Sequence, residues 1–96
     1  MKLNRDLLLD LLEHFVKLLP EHVEVYSMRL DLPYEKKDIQ FHVILLEEAG
    51  YIAFKKAEKG YESTVGDKIL HVTLKGYEYL EKLQAEIGEL RKYTRA

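Results

Sequence analysis

The tightest constraint on this chain lies in its middle, where a helical stretch runs almost directly into a strand. Glu35 to Ala49 contains neither Pro nor Gly, and it places Ile39, Val43 and Leu46 on one face with His42 and Ala49 flanking. Spacings of three and four are those of an α-helix with one side against a core. Gly50 follows where a helix commonly ends in the left-handed conformation that glycine adopts without steric cost. Tyr51 to Lys56 then reads as a strand. The expected arrangement is a helix wedged beneath a β-hairpin, with a further helix closing the layer.

The flanking segments fit that frame. Asn4 is a suitable N-cap for a first helix, Asp6 sits near its positive end, and Pro20 stops it. Leu8, Leu11, Leu12, Phe15, Val16 and Leu19 form its apolar face; Leu7, Leu9 and Leu18 widen that face, which predicts burial on two sides. His22 to Leu32 alternates apolar and polar residues, with a change of parity between Val25 and Met28 that suggests a bulge or turn within a strand. Leu32-Pro33-Tyr34 breaks the segment. After Tyr51–Lys56, turn-rich residues around Gly60 and Gly66 lead to a second strand, Lys68 to Thr73, with β-branched Ile69, Val72 and Thr73. Thr73 can cap a last helix from Leu74 to about Tyr93. Leu74, Tyr77 and Leu80 are expected to hold its front half on the body, while Gly76 and Gly88 weaken it.

Composition narrows the function. The 96 residues make one domain, 1–96, with 84–96 read as an extended helix end or a dimerisation segment. There is no Cys, hence no disulfide, thiolate metal site or Cys nucleophile. No apolar run approaches the length of a membrane span and charges interrupt the start, so neither span nor export signal is expected, and the chain reads as cytoplasmic. The four His lack helical metal-ligand spacing, and no phosphate loop or Ser/His/Asp set is visible, so the expectation is a non-enzyme without metal or small-molecule cofactor. His42 reads as a hydrogen-bonded core residue, and adjacent Glu47 and Glu48 cannot pair tightly within one helix. Net charge is −2, and no segment forms a basic arm.

Two phrases carry a resemblance. His42-Val43-Ile44-Leu45-Leu46-Glu47-Glu48-Ala49-Gly50-Tyr51-Ile52 resembles the second helix and following strand of many winged-helix proteins, and Val72-Thr73-Leu74-Lys75-Gly76-Tyr77-Glu78-Tyr79-Leu80 is similar to the phrase that opens their last helix. Together with Arg5-Asp6 at the helical start, they resemble the DUF2513 family, a small bacterial and phage family of unknown function, over roughly residues 4 to 84. The resemblance implies an α+β winged helix-turn-helix domain: three main helices with a two- or three-stranded antiparallel wing. It also implies a DNA-associated regulatory or accessory role. Where such proteins show a first helix of the helix-turn-helix, this chain has the strand-like His22–Leu32 segment.

If the domain contacts double-stranded DNA, the residues to do so are Lys36, Lys37 and Gln40 on the second helix and Lys55, Lys56 and Lys59 on the wing. Advancing about 100° per residue from Ile39 puts Lys37, Phe41, Ile44 and Glu48 opposite the core face, with Gln40 beside them. Two large apolar side chains and a carboxylate suit base reading poorly. Leaving Phe41 and Ile44 in water costs about 1.5–3 kcal/mol each, so burial within the chain or against a partner is expected. The competing function is therefore a protein-interaction module on a winged-helix scaffold, with Phe41, Ile44, Leu83, Ile87 and Leu90 as interface candidates. Leu80, Leu83, Ile87 and Leu90 match a short coiled-coil seam, which either forms a homodimer or packs back on the first helix. Tyr51 and Tyr77 read as core or edge positions, and Tyr79 and Tyr93 as interface positions.

Overall fold

The computed structural model describes residues 2–58, 60 and 64–94, with side-chain environments as far as residue 88. It consists of three helices and a three-stranded antiparallel sheet, an α+β layout compatible with a winged helix.

Helix α1 spans Arg5–Leu18. The Asn4 side chain accepts from the Leu7 N–H at 3.2 Å, supplying one of the bonds that the first helical turn cannot make internally. Leu7, Leu8, Leu9, Leu11, Leu12 and Phe15 are all buried, a face too wide for one neighbour. Helices α2 (Lys36–Glu48) and α3 (Leu74–Thr94) and strand β3 (Lys68–Val72) all pack against α1, which accounts for the extra leucines.

A 3-10 turn, Leu19–Glu21, contains Pro20 and ends at His22 in the left-handed region, φ 58°. The expected His22–Leu32 strand reduces to β1, Val25–Tyr26. The parity change is a turn: the Arg29 N–H donates to the Tyr26 carbonyl at 3.0 Å, closing the chain on itself directly after the strand. Among the described residues no helix lies between β1 and α2, so α2 lacks the preceding partner of a full helix-turn-helix.

Helix α2 ends in a Schellman arrangement. Gly50, φ 76°, donates to the Glu47 carbonyl at 3.1 Å, and the Tyr51 N–H donates to the Leu46 carbonyl at 3.0 Å. Strand β2, Ile52–Lys55, starts at once and pairs with β3; β1 lies on β3's other side. The β2–β3 register shifts between Ala53 and Phe54, opposing Ala53 to His71 but Phe54 to Ile69 and leaving Leu70 as a bulge. The bulge lets Ile69 and Val72, three residues apart, both face the core, while Leu70 and His71 turn out.

Thr73 links three elements. Its Oγ1 accepts from the Gly76 N–H at 3.1 Å, its hydroxyl donates to the Gly50 carbonyl at 2.6 Å, and its N–H donates to the Tyr51 carbonyl at 3.1 Å. The inward face of α3 is Gly76, Leu80, Leu83 and Ile87, with Tyr79 half-buried and stacked on Tyr51 at 4.5 Å between ring centroids. Leu74 and Tyr77 are exposed, against the expectation that they hold the front of the helix. Gly76 takes that place, because the helix approaches so closely there that a Cβ would collide with the Tyr51 carbonyl oxygen and the Val72 side chain. Leu83 and Ile87, expected as interface candidates, are buried with the α1 leucines. Of the seam proposed for dimerisation, these two are consumed within the chain; the side chains of Leu90 and Tyr93 lie outside the described residues. Tyr79, expected at an interface, packs against the core.

Candidate functional site

The outward face of α2 is built by the core face opposite it. Ile39, Val43 and Leu46 are buried, and His42 is 1% exposed. The His42 Nδ1 donates to the Asp38 carbonyl at 2.7 Å while its Nε2 accepts from the Asn4 N–H at 2.8 Å, so the ring ties α2 to the start of α1. Anchored this way, α2 turns Lys37, Ile44 and Glu48 to solvent. Burial on two sides therefore fails at Ile44, which is 48% exposed; Phe41 is half-buried with its ring edge-on to His42. Gln40 is not free to read a base, because its Nε2 donates to the Ser27 carbonyl at 2.6 Å. Lys36 and Lys37 are exposed, with Lys37 only loosely set, 3.8 Å from Glu35.

The hairpin gathers positive charge on one side. Lys55 and Lys68 are direct partners across β2 and β3. Like charges in such a pair repel. With Lys56 and Tyr26 they line a cleft of about 180 Å³. Glu24 offers partial compensation: its carboxylate lies 3.6 Å from the Lys68 ammonium and accepts from the Tyr26 hydroxyl at 3.2 Å. Lys68 was not among the residues singled out from the sequence; only the strand register reveals it. Lys59 lies outside the described residues.

Between the hairpin and α2 the character reverses. Asp67 organises this region. Its N–H donates to the Ser27 Oγ at 2.9 Å, its carbonyl accepts from the Ser27 N–H at 2.8 Å, and its Oδ1 accepts from the Ala57 N–H at 2.8 Å. Gly66 stands beside it at φ 83°, where a Cβ would collide with Ser27 and Met28. The Glu47 carboxyl on α2 and the Asp67 side chain line the same cavity. Two carboxyl groups can share a hydrogen bond only when one is protonated. Burial, the Asp67 hydrogen bond and the Asp67 charge push Glu47 up to about 7, partly opposed by Lys56. Its Oε2 is buried without a hydrogen-bond partner among the described residues. Glu47 and Asp67 are twenty positions apart in the chain, so their proximity was not legible in the sequence.

Two cavities meet at this point. One, of about 380 Å³, is lined by Ile44, Glu47, Glu48, Phe54, Lys56 and Asp67. The other, of about 240 Å³, includes Ser27, Met28, Gln40 and Val43 and shares Ile44, Glu47 and Asp67 with the first. They adjoin along Ile44, Glu47 and Asp67, a groove region with apolar walls and an acidic edge. Among the described residues no group of three or more His, Asp or Glu is placed to hold a metal ion, and no helix is long and apolar enough to cross a membrane.

Comparison of the chain with models of known families, with curated proteins and with solved structures finds no match.

Proposed function

We propose that the chain is a non-enzymatic winged-helix protein that works as a DNA-associated regulatory or accessory factor of bacterial or phage type, gripping duplex phosphates with its hairpin rather than reading bases with α2. The observation that carries this reading is the Lys55–Lys68 pair across the β-ladder, with Lys56 in the same cleft. Cations held opposite one another gain from an anion placed between them. Phosphate contacts of this kind position a protein on DNA without reading sequence. The α2 face supports no base reading, since Gln40 is engaged and Ile44 and Glu48 face outward.

The test is retention on duplex DNA as salt is raised. Each phosphate contact contributes roughly −0.9 to the slope of log affinity against log salt, so three lysines give a slope of about −2.7. The triple variant Lys55→Ala, Lys56→Ala, Lys68→Ala is expected to flatten that slope and weaken binding alike for every sequence. Failure of the chain to bind duplex DNA at low salt removes the proposal.

A second reading, a protein-interaction module, is favoured by the groove walled by Met28, Ile44 and Phe54. Under it, Ile44→Asp abolishes capture of a partner and leaves DNA retention unchanged.

A further inference from the structure

We infer that the groove between α2 and the hairpin binds a cationic amphipathic segment of a partner protein, with the apolar side of that segment on Met28, Ile44 and Phe54 and its Lys or Arg side chains on Glu47, Glu48 and Asp67. This rests on the second reading above and specifies the occupant.

The apolar contribution comes from Ile44 on α2, which lines both cavities, with Phe54 on β2 in the larger and Met28, in the turn after β1, in the smaller. Met28 and Ile44 are each 48% exposed and Phe54 is 36% exposed. An isolated exposed apolar residue is ordinary, whereas apolar walls on a shared concavity are what peptide-binding grooves use. The charge is equally specific. Three carboxyl groups, those of Glu47, Glu48 and Asp67, line the larger cavity against one ammonium, Lys56. Phosphates are repelled there, and an acidic segment likewise. A second copy of this chain would have to offer its lysine cleft, and such a head-to-tail contact builds a ring or an open filament rather than a two-fold dimer.

The carboxyl pair supplies a recognition element. The Glu47 Oε2 has no hydrogen-bond partner among the described residues, so a buried acceptor stands ready for a donor. An incoming guanidinium or ammonium at that oxygen favours the ionised form of Glu47, whose proton then leaves to solvent. Binding is therefore linked to proton release. The charged groups facing Glu47 are Asp67 at the approach to β3, Lys56 beyond β2 and, next along α2, Glu48.

The experiment titrates the full chain with a synthetic amphipathic helix of leucine and lysine, and with the same helix carrying glutamate in place of lysine, followed by chemical-shift perturbation and fluorescence anisotropy. The lysine helix is expected to perturb Met28, Ile44 and Phe54. It is expected to bind about tenfold more weakly to Ile44→Asp and to the double variant Glu47→Gln, Glu48→Gln. Its affinity for the native chain should rise between about pH 6 and about pH 8, and that rise should vanish in Glu47→Gln. Equal or tighter binding of the glutamate helix overturns the cationic occupant while leaving the docking reading intact. Binding of neither helix at the groove removes both. Self-association of the chain that Ile44→Asp abolishes identifies a second copy as the occupant and overturns the inference.

Discussion

At the scale of single residues, what could be read in advance was local. Asn4 as a cap, Gly50 as a left-handed terminator, Thr73 as a second cap and His42 as a bonded core residue each depend on neighbours within a turn or on the face of one helix. Glu47 and Asp67 meet only because the hairpin folds back over α2, so nothing in their own surroundings announces the contact. The burial of Glu47 beside Asp67 has a measurable consequence. Folded, Glu47 holds its proton up to about pH 7; unfolded, only to its ordinary 4.5. Between those values the folded state binds more protons, so the stability contributed is complete below the lower value and lost as pH rises through the upper one. His14 acts in the opposite sense lower in the range, since burial, then Lys17, lower its pKa. Its contribution is common to native chain and variant and cancels in their difference. Glu47→Gln keeps the shape and can donate to Asp67. Denaturant unfolding from about pH 5 to about pH 8 should show the native chain losing stability relative to this variant. Parallel curves across that window would mean that burial does not raise Glu47 in the folded chain.

At the scale of elements, α1, α2, β2, β3 and α3 were all legible, because each has either a sustained apolar period or clear punctuation by Pro and Gly. The segment after Pro20 was not, since alternation alone does not distinguish a strand from an exposed turn, and Val23 and Met28 lie in water. Helix α3 was placed correctly and Leu80 faces inward as expected, but at the front of the helix Gly76 takes the inward position expected of Leu74 and Tyr77. The two α3 glycines therefore differ in kind. Gly88 is exposed with open space around its Cβ position, so Gly88→Ala should stabilise the chain by about 1 kcal/mol through helix propensity. Gly76→Ala has the same intrinsic gain but drives a methyl into the Tyr51 carbonyl and Val72. A net loss of about 1–3 kcal/mol is expected, as for other overpacked sites. Thermal denaturation of the pair separates the effects; equal gains in both would remove the close approach of α3 to Tyr51 and Val72.

At the scale of the whole molecule, one hairpin separates two surfaces of opposite sign, with Lys56, Ala57 and Gly66 bordering both the lysine cleft and the acidic groove. The layers were legible from element order, but the two surfaces were not, because they depend on strand register and on where the hairpin lies over α2. The same assembly bears on the role of α3. A seam of Leu80, Leu83, Ile87 and Leu90 suits a dimer as well as an intramolecular contact, but Leu83 and Ile87 are buried beside α1, and the Arg5 guanidinium meets Glu86 at 2.7 Å along the same junction. That exposed ion pair contributes little, so the junction is held by its apolar side chains. Ile87→Asp places a carboxylate in this interior. If the seam is intramolecular, the variant loses about 2–5 kcal/mol and the loss is the same at every protein concentration. If it binds two chains together, the midpoint of the native protein climbs with concentration and the variant abolishes the climb. Thermal unfolding over a hundredfold dilution, read together with sedimentation mass, decides between them. The expected result is a native midpoint that does not move on dilution and a sedimenting species of 11.3 kDa.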